Sequence, residues 1–147
     1  MNLANSTALV TGAASGLGRA TAQLLAFQGA RLLLIDLNIE KLEALKAELP
    51  GDHVASRADV CNPSEISAAI AQGMEAFGEL RCVVNCAGIP SAAKTVSRGI
   101  AHDLALWNRI IAINLTGSFN VLRLAVEKMI DNRPDDNGQR GVIVNTS

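Results

Sequence analysis

Thr11-Gly12-Ala13-Ala14-Ser15-Gly16-Leu17-Gly18 is the stretch on which the reading of this chain turns. Before it runs Ser6-Thr7-Ala8-Leu9-Val10, apolar and partly β-branched, which predicts a buried parallel strand. After it, 19–28 carries Leu24, Leu25 and Phe27 at helical spacing, with Gly29 as a stop. The glycines therefore fall at a strand-to-helix turn. Such a turn presents the first free N–H groups of the helix and the positive end of its dipole, so a phosphate or pyrophosphate is the fitting guest. Gly12 permits the tight turn, Gly16 lets a pyrophosphate approach the backbone, and Gly18 lets the helix pack closely. A second strand at 31–35 leads into Asp36. A carboxylate there accepts hydrogen bonds from a ribose diol and repels a 2′-phosphate, which favours NAD over NADP. Ala14 and Ser15 offer no cation for such a phosphate. A P-loop is excluded, because Gly18 is followed by Arg19-Ala20 and not by Lys-Ser/Thr.

Working outward, 38–49 predicts a helix capped by Asn38, with Leu42, Leu45 and Leu49 at core spacing, ended by Pro50-Gly51. A third strand is expected at 53–57, with Asp59-Val60 beyond its carboxyl end. Asn62 caps a helix with Pro63 in its first turn, reaching about Phe77 and closed by Gly78. A fourth strand at 80–84 ends in Asn85-Cys86-Ala87-Gly88. A looser stretch, 89–103, precedes a long helix at 104–130, a polar turn at 131–138 and a fifth strand at 141–147. Strands alternating with helices predict an α/β doubly wound parallel sheet in one domain, 1–147. Ligands in such sheets bind beyond the carboxyl ends of the strands where strand order reverses. Gly12 to Gly18, Asp36, Asp59-Val60 and Asn85 to Gly88 all fall at those ends.

Composition bounds the rest. In 147 residues, 49% are hydrophobic and 18% charged, which supports a packed core. Thirteen Lys and Arg against fourteen Asp and Glu leave a net charge of −1, so no nucleic-acid partner is expected. No apolar run is expected to approach membrane-spanning length, and the first strand begins too early for a leader, so the cytoplasm is the expected compartment. Cys61, Cys82 and Cys86 are expected as free thiols, Cys82 as a core residue, and no metal site is expected. His53 and His102 read as structural or solvated.

Gly12-x-x-x-Gly16-x-Gly18, Asp36, Asp59-Val60, Asn85-Cys86-Ala87-Gly88 and Ile113-Asn114-Leu115-Thr116-Gly117 together resemble the short-chain dehydrogenase/reductase family, over the whole chain. Gly117-Ser118-Phe119-Asn120-Val121 and Gly138-Gln139-Arg140-Gly141-Val142-Ile143 are similar to the branch that acts on 3-hydroxyacyl-CoA. Cys86 departs from the broader family's second Asn and agrees with that branch. The resemblance implies a Rossmann sheet, incomplete after the fifth strand, and roles for named residues. Ser15 and Leu17 would meet ribose and pyrophosphate, Asp36 the adenosine ribose, and Asp59 and Val60 the adenine, with Asp59 on its amino edge. Cys86, Ala87 and Gly88, after Asn85, would form the cofactor floor through backbone atoms. Asn114 would be the catalytic Asn, opening the helix ladder locally and anchoring a water in a proton relay.

The family's reaction uses a Tyr as general acid/base, with a Lys four residues on that lowers its pKa, and a Ser on the reacting oxygen. This chain has no Tyr. Ser147 matches either that Ser or its predecessor, the closer branch favouring the predecessor. The expected function is NAD-dependent interconversion of a secondary alcohol and a ketone, on an acyl-CoA or similar hydroxy compound, in a homo-oligomer when complete, with the 147 residues alone inactive. The alternatives are a non-catalytic NAD-binding module and an S-adenosylmethionine methyltransferase; Thr11-Gly12, Asn85 to Gly88 and Asn114 argue against the last.

Overall fold

The computed structural model describes residues 3–90 and 93–146. Its centre is β1 (Thr7–Thr11), all five residues buried. Parallel strands flank it in the order β3 (His53–Arg57), β2 (Arg31–Asp36), β1, β4 (Cys82–Asn85), β7 (Val142–Asn145). The register runs Leu9 opposite Leu33 on one side of β1 and opposite Val83 on the other. Strand side chains alternate between faces, so one apolar run feeds two cores. Ala8, Val10, Leu32 and Leu34 pack with Ala22, Leu25, Leu42 and Leu45 of α1 (Gly16–Phe27) and α2 (Ile39–Glu48). Leu9, Leu33, Ile35 and Val83 pack with Ile66, Ala69 and Ile70 of α3 (Pro63–Phe77) and with Val121 and Ala125 of α5 (Ser118–Met129). Truncating any one of the fully buried leucines to Ala would cost about 2–5 kcal/mol.

The expected caps form. Asn38 Oδ1 accepts from the Lys41 N–H at 2.9 Å, and Asn62 Oδ1 accepts from Ser64 and Glu65 at 3.1 and 3.3 Å. Gly78 ends α3 in the left-handed conformation at φ 82°. The helix expected after the turn forms as α1; it buries Gly18, Ala22, Leu25 and Ala26, and Leu24 and Phe27 are 63% and 73% exposed. The small residues face the sheet because α1 lies close to it. The stretch 89–103 also contains a short antiparallel hairpin, β5 (Val96–Ser97) and β6 (Ile100–Ala101). Its two-residue turn, Arg98-Gly99, has φ 52° and 78°, the positive pair that a tight hairpin needs.

The long helix is three segments: α4 (Leu104–Ile110), a π-helical stretch Ile111–Gly117, and α5. The expected opening of the ladder at Asn114 thus takes the form of a wide turn. Leu104–Met129 is 26 residues with a mean hydropathy of 1.3 over its most apolar window, long and apolar enough by those measures to cross a membrane. The expectation that no apolar run reaches that length is corrected to this extent. One face of the helix, through Val121, Ala125 and Met129, is buried against the sheet.

Candidate functional site

Strand order reverses between β1 and β4, and there the two carboxyl ends are bound together by one hydroxyl. Thr11 Oγ1 accepts from the N–H groups of Cys86 and Ala87, both at 3.1 Å. Gly12, at φ 65°, lies so close to that loop that a Cβ would sit 2.9 Å from Ala87 Cα and N. Gly18 is excluded from bearing a Cβ by the turn itself, whose Gly12 carbonyl oxygen would lie 2.2 Å away. The close packing expected at Gly18 is therefore against the turn backbone. Thr11 was not among the expected site residues. Its signal was available as a buried hydroxyl at the end of the strand, but one sequence does not show the 75-residue jump to Cys86.

Above this junction opens a cleft of about 570 Å³. Gly12, Ser15, Gly16, Leu17 and Gly18 line it from the turn, with Asp36, Asp59, Val60, Cys86, Ala87 and Gly88 from the three other strand ends. It also takes in Ile35, Leu37, Ala58, Ile89, Arg109 and Ile113, which were not among the expected cofactor contacts. The last two come from the long helix, whose placement over the sheet is a tertiary matter. Ser15, Gly16 and Leu17 are exposed to the cleft, and Ser15 makes no side-chain capping bond to α1. The helix therefore presents its first N–H groups without a built-in acceptor.

Asp36 is half-buried beside that N-terminus. Its Oδ2 accepts from the Ala14 N–H and its Oδ1 from the Asn38 N–H, each at 3.1 Å. These two bonds fix the carboxylate and leave lone pairs on both oxygens for further donors. Asp59 is set by its neighbours: its N–H donates to Glu65 Oε2 at 2.8 Å, and its Oδ1 accepts from the Cys61 N–H at 2.8 Å. Burial pushes the Cys86 thiol above its ordinary range, outweighing the hydroxyls of Thr21 and Thr146 that pull it down, so it stays a neutral wall of the floor.

Two expected residues, Asn85 and Asn114, stand outside the cleft lining. Asn85 is 3% exposed. Its Nδ2 donates to Asn145 Oδ1 at 2.9 Å, and its carbonyl accepts from Thr146 N–H and Oγ1 at 3.1 and 2.9 Å, so it ties β4 to β7. Asn114 grips Ile89 by both backbone groups: Oδ1 accepts from the N–H at 2.9 Å and Nδ2 donates to the carbonyl at 3.1 Å. Gly88 lies against it, where a Cβ would be 3.3 Å from Asn114 Oδ1. Ser147 is outside the described residues.

A dinucleotide fits what is present. Its pyrophosphate matches the uncapped helix N-terminus, where the space above Gly16 is open for at least 4 Å around a built Cβ position. Its adenosine ribose matches a fixed carboxylate at Asp36, and its bases match the apolar walls Val60, Ala87 and Ile113.

Known proteins give the same picture. The short chain dehydrogenase family profile matches residues 6–147. The chain is 46% identical over 145 residues to 3-hydroxyacyl-CoA dehydrogenase type-2 of Drosophila melanogaster, covering 97% of this chain and 57% of that protein. It is 44% identical over 142 residues to the human protein of that name, covering 95% and 54%. It is 36% identical over 151 residues to ipsdienol dehydrogenase of Ips pini, covering 100% and 58%. The chain thus spans a little over half the length of these relatives. Family match, parallel Rossmann-like sheet and switch-point cleft agree, and the chain belongs to the short-chain dehydrogenase family.

Proposed function

We propose that this chain is the cofactor-binding part of an NAD-dependent dehydrogenase that interconverts a secondary alcohol and a ketone, with 3-hydroxyacyl-CoA as the substrate class. The observation that carries the cofactor assignment is the pairing of the uncapped α1 N-terminus with the Asp36 carboxylate across one cleft. The substrate class is supported by the names of the relatives at 42–46% identity. Bound NAD would supply the hydride acceptor. The chain's own part is to hold the pyrophosphate at 15–18, seat the ribose diol on Asp36, and shape the floor with Cys86, Ala87 and Gly88. Asn114 fixes the Ile89 backbone at the far end of that floor. Turnover is not expected from these 147 residues alone, because no Tyr is present for the proton transfer, a step worth roughly 10²–10⁴ in rate.

Calorimetric titration with NADH, NADPH and S-adenosylmethionine tests the proposal. NADH is expected to bind, NADPH at least about tenfold more weakly because Asp36 faces the 2′-phosphate, and S-adenosylmethionine not at all. Asp36→Ala combined with Leu37→Arg should reverse the preference. Equal affinity of the unmodified chain for NADH and NADPH defeats the cofactor assignment, and NADH-linked oxidation of 3-hydroxybutyryl-CoA by material of verified mass defeats the expected inactivity.

A further inference from the structure

Val60, read above with Asp59 as the adenine subsite, is held by a helix on the other side of the loop. Asn120 is 5% exposed, and its Nδ2 donates to the Val60 carbonyl at 2.9 Å. Its Oδ1 accepts from Arg123 Nε and Nη2 at 3.2 and 2.8 Å. A guanidinium only donates, so Arg123 settles which end of the amide faces it and leaves the NH₂ turned to Val60. One turn earlier, Gly117 presses on the same residue: a Cβ there would lie 2.6 Å from Val60 Cγ2 and 3.1 Å from its Cβ. The Cys61 thiol completes the grip, donating to the Ala112 carbonyl at 3.3 Å. An apolar side chain at position 120 would leave the Val60 carbonyl without this donor. The amide with its own orienting cation is explained by what it holds.

We infer that Asn120, with Gly117 beside it, is a positioning residue for the adenine subsite, setting where Val60 and Asp59 meet the base of a bound dinucleotide. The inference rests on the reading of Asp59 and Val60 as adenine contacts. The same helical stretch carries Asn114, which holds Ile89 across the cleft. One rigid segment therefore sets the loop under the adenine and the loop at the other end of the floor.

The test compares binding of NADH with that of its hypoxanthine analogue, in which a carbonyl replaces the adenine amino group. It uses the full chain, unmodified and as Asn120→Leu, Gly117→Ala and Arg123→Leu, with the thermal midpoint of each. The unmodified chain should prefer NADH. Asn120→Leu should weaken NADH by about tenfold, the scale of one buried hydrogen bond, and weaken the analogue much less, so the preference collapses. Gly117→Ala should narrow the preference in the same way by displacing Val60, and Arg123→Leu by a smaller factor. Should Asn120→Leu fail to fold, the other two variants carry the same ratio. Equal weakening of both ligands in every variant, in step with the thermal midpoint, overturns the inference and leaves Asn120 a structural residue. Equal affinity of the unmodified chain for the two ligands overturns the adenine reading of Asp59 and the inference with it. Failure to bind either overturns the dinucleotide reading itself.

Discussion

Two side chains show how much of this fold rests on single polar contacts. Thr11 is 1% exposed, and its hydroxyl is the acceptor for both Cys86 and Ala87 N–H. Thr11→Val keeps the shape and removes the acceptor, stranding two N–H groups at the strand junction. The expected loss is roughly 2–4 kcal/mol by urea unfolding, against under about 1 kcal/mol for Thr11→Ser, which keeps the hydroxyl. His53 does a comparable task at the outer edge. Its Nδ1 accepts from the Leu32 N–H at 3.2 Å, so the ring proton sits on Nε2 and points to the Pro50 carbonyl 3.0 Å away. Burial lowers its pKa below 6.5, the Pro50 and Asp52 contacts opposing that only in part. The unfolded chain then binds the proton more tightly than the folded one. The stabilisation is fully present above about pH 6.5 and is lost as pH falls through the folded-state pKa. Urea midpoints between pH 7.5 and 5 should fall more steeply for the native chain than for His53→Gln, and parallel slopes would count against this role.

At the scale of the element, the N-terminus of α3 is built as one unit with the site. Asn62 Oδ1 caps Ser64 and Glu65, its Nδ2 donates to Glu65 Oε1 at 2.9 Å, and the other Glu65 oxygen accepts from the Asp59 N–H. Asn62→Ala should cost about 1 kcal/mol of stability. It should also speed amide exchange at Asp59, since it frees Glu65; an unchanged rate at Asp59 would separate the cap from the site. This cap was legible in sequence, as were Asn38, Gly78 and the turn at 12–18, because each depends on residues within a few positions. Leu42, Leu45 and Leu49 were legible as core for the same reason. The placements that one sequence does not show have long-range causes. Leu24 and Phe27 keep a helical spacing, yet α1 approaches the sheet through alanines and Gly18, so the larger side chains face outward. Arg109, Ile113 and Thr11 enter the site through packing of elements distant in sequence. The hairpin at 96–101 was hidden because strands of two residues carry no alternation to detect, although Arg98-Gly99 marked its turn.

At the scale of the whole molecule, apolar surface is distributed unevenly. The two faces of the sheet are closed by packed helices, while α1 leaves Leu24 and Phe27 exposed and the long helix leaves Trp107, Leu115, Phe119, Val126 and Ile130 exposed, Phe119 and Ile130 by 60% and 58%. Elsewhere, β7 pairs with β4 along one flank, and among the described residues no strand pairs with the other. Val142 and Val144 are exposed there as well. A bare parallel edge offers a row of N–H and C=O groups to any extended segment, and the exposed apolar side chains of the helix are a second surface that another copy can cover. With a net charge of −1, electrostatic repulsion between copies is weak. The 147-residue chain should therefore associate as its concentration rises, through the β7 edge or the exposed helix side chains. Sedimentation velocity across a hundredfold range of concentration reads this directly. Phe119→Glu or Val144→Lys, each placing a charge on the exposed surface away from the cofactor cleft, should shift the distribution toward monomer while leaving NADH affinity unchanged. A native chain that sediments as a monomer throughout, with one cooperative thermal transition, would show that this surface is stable in water as it stands.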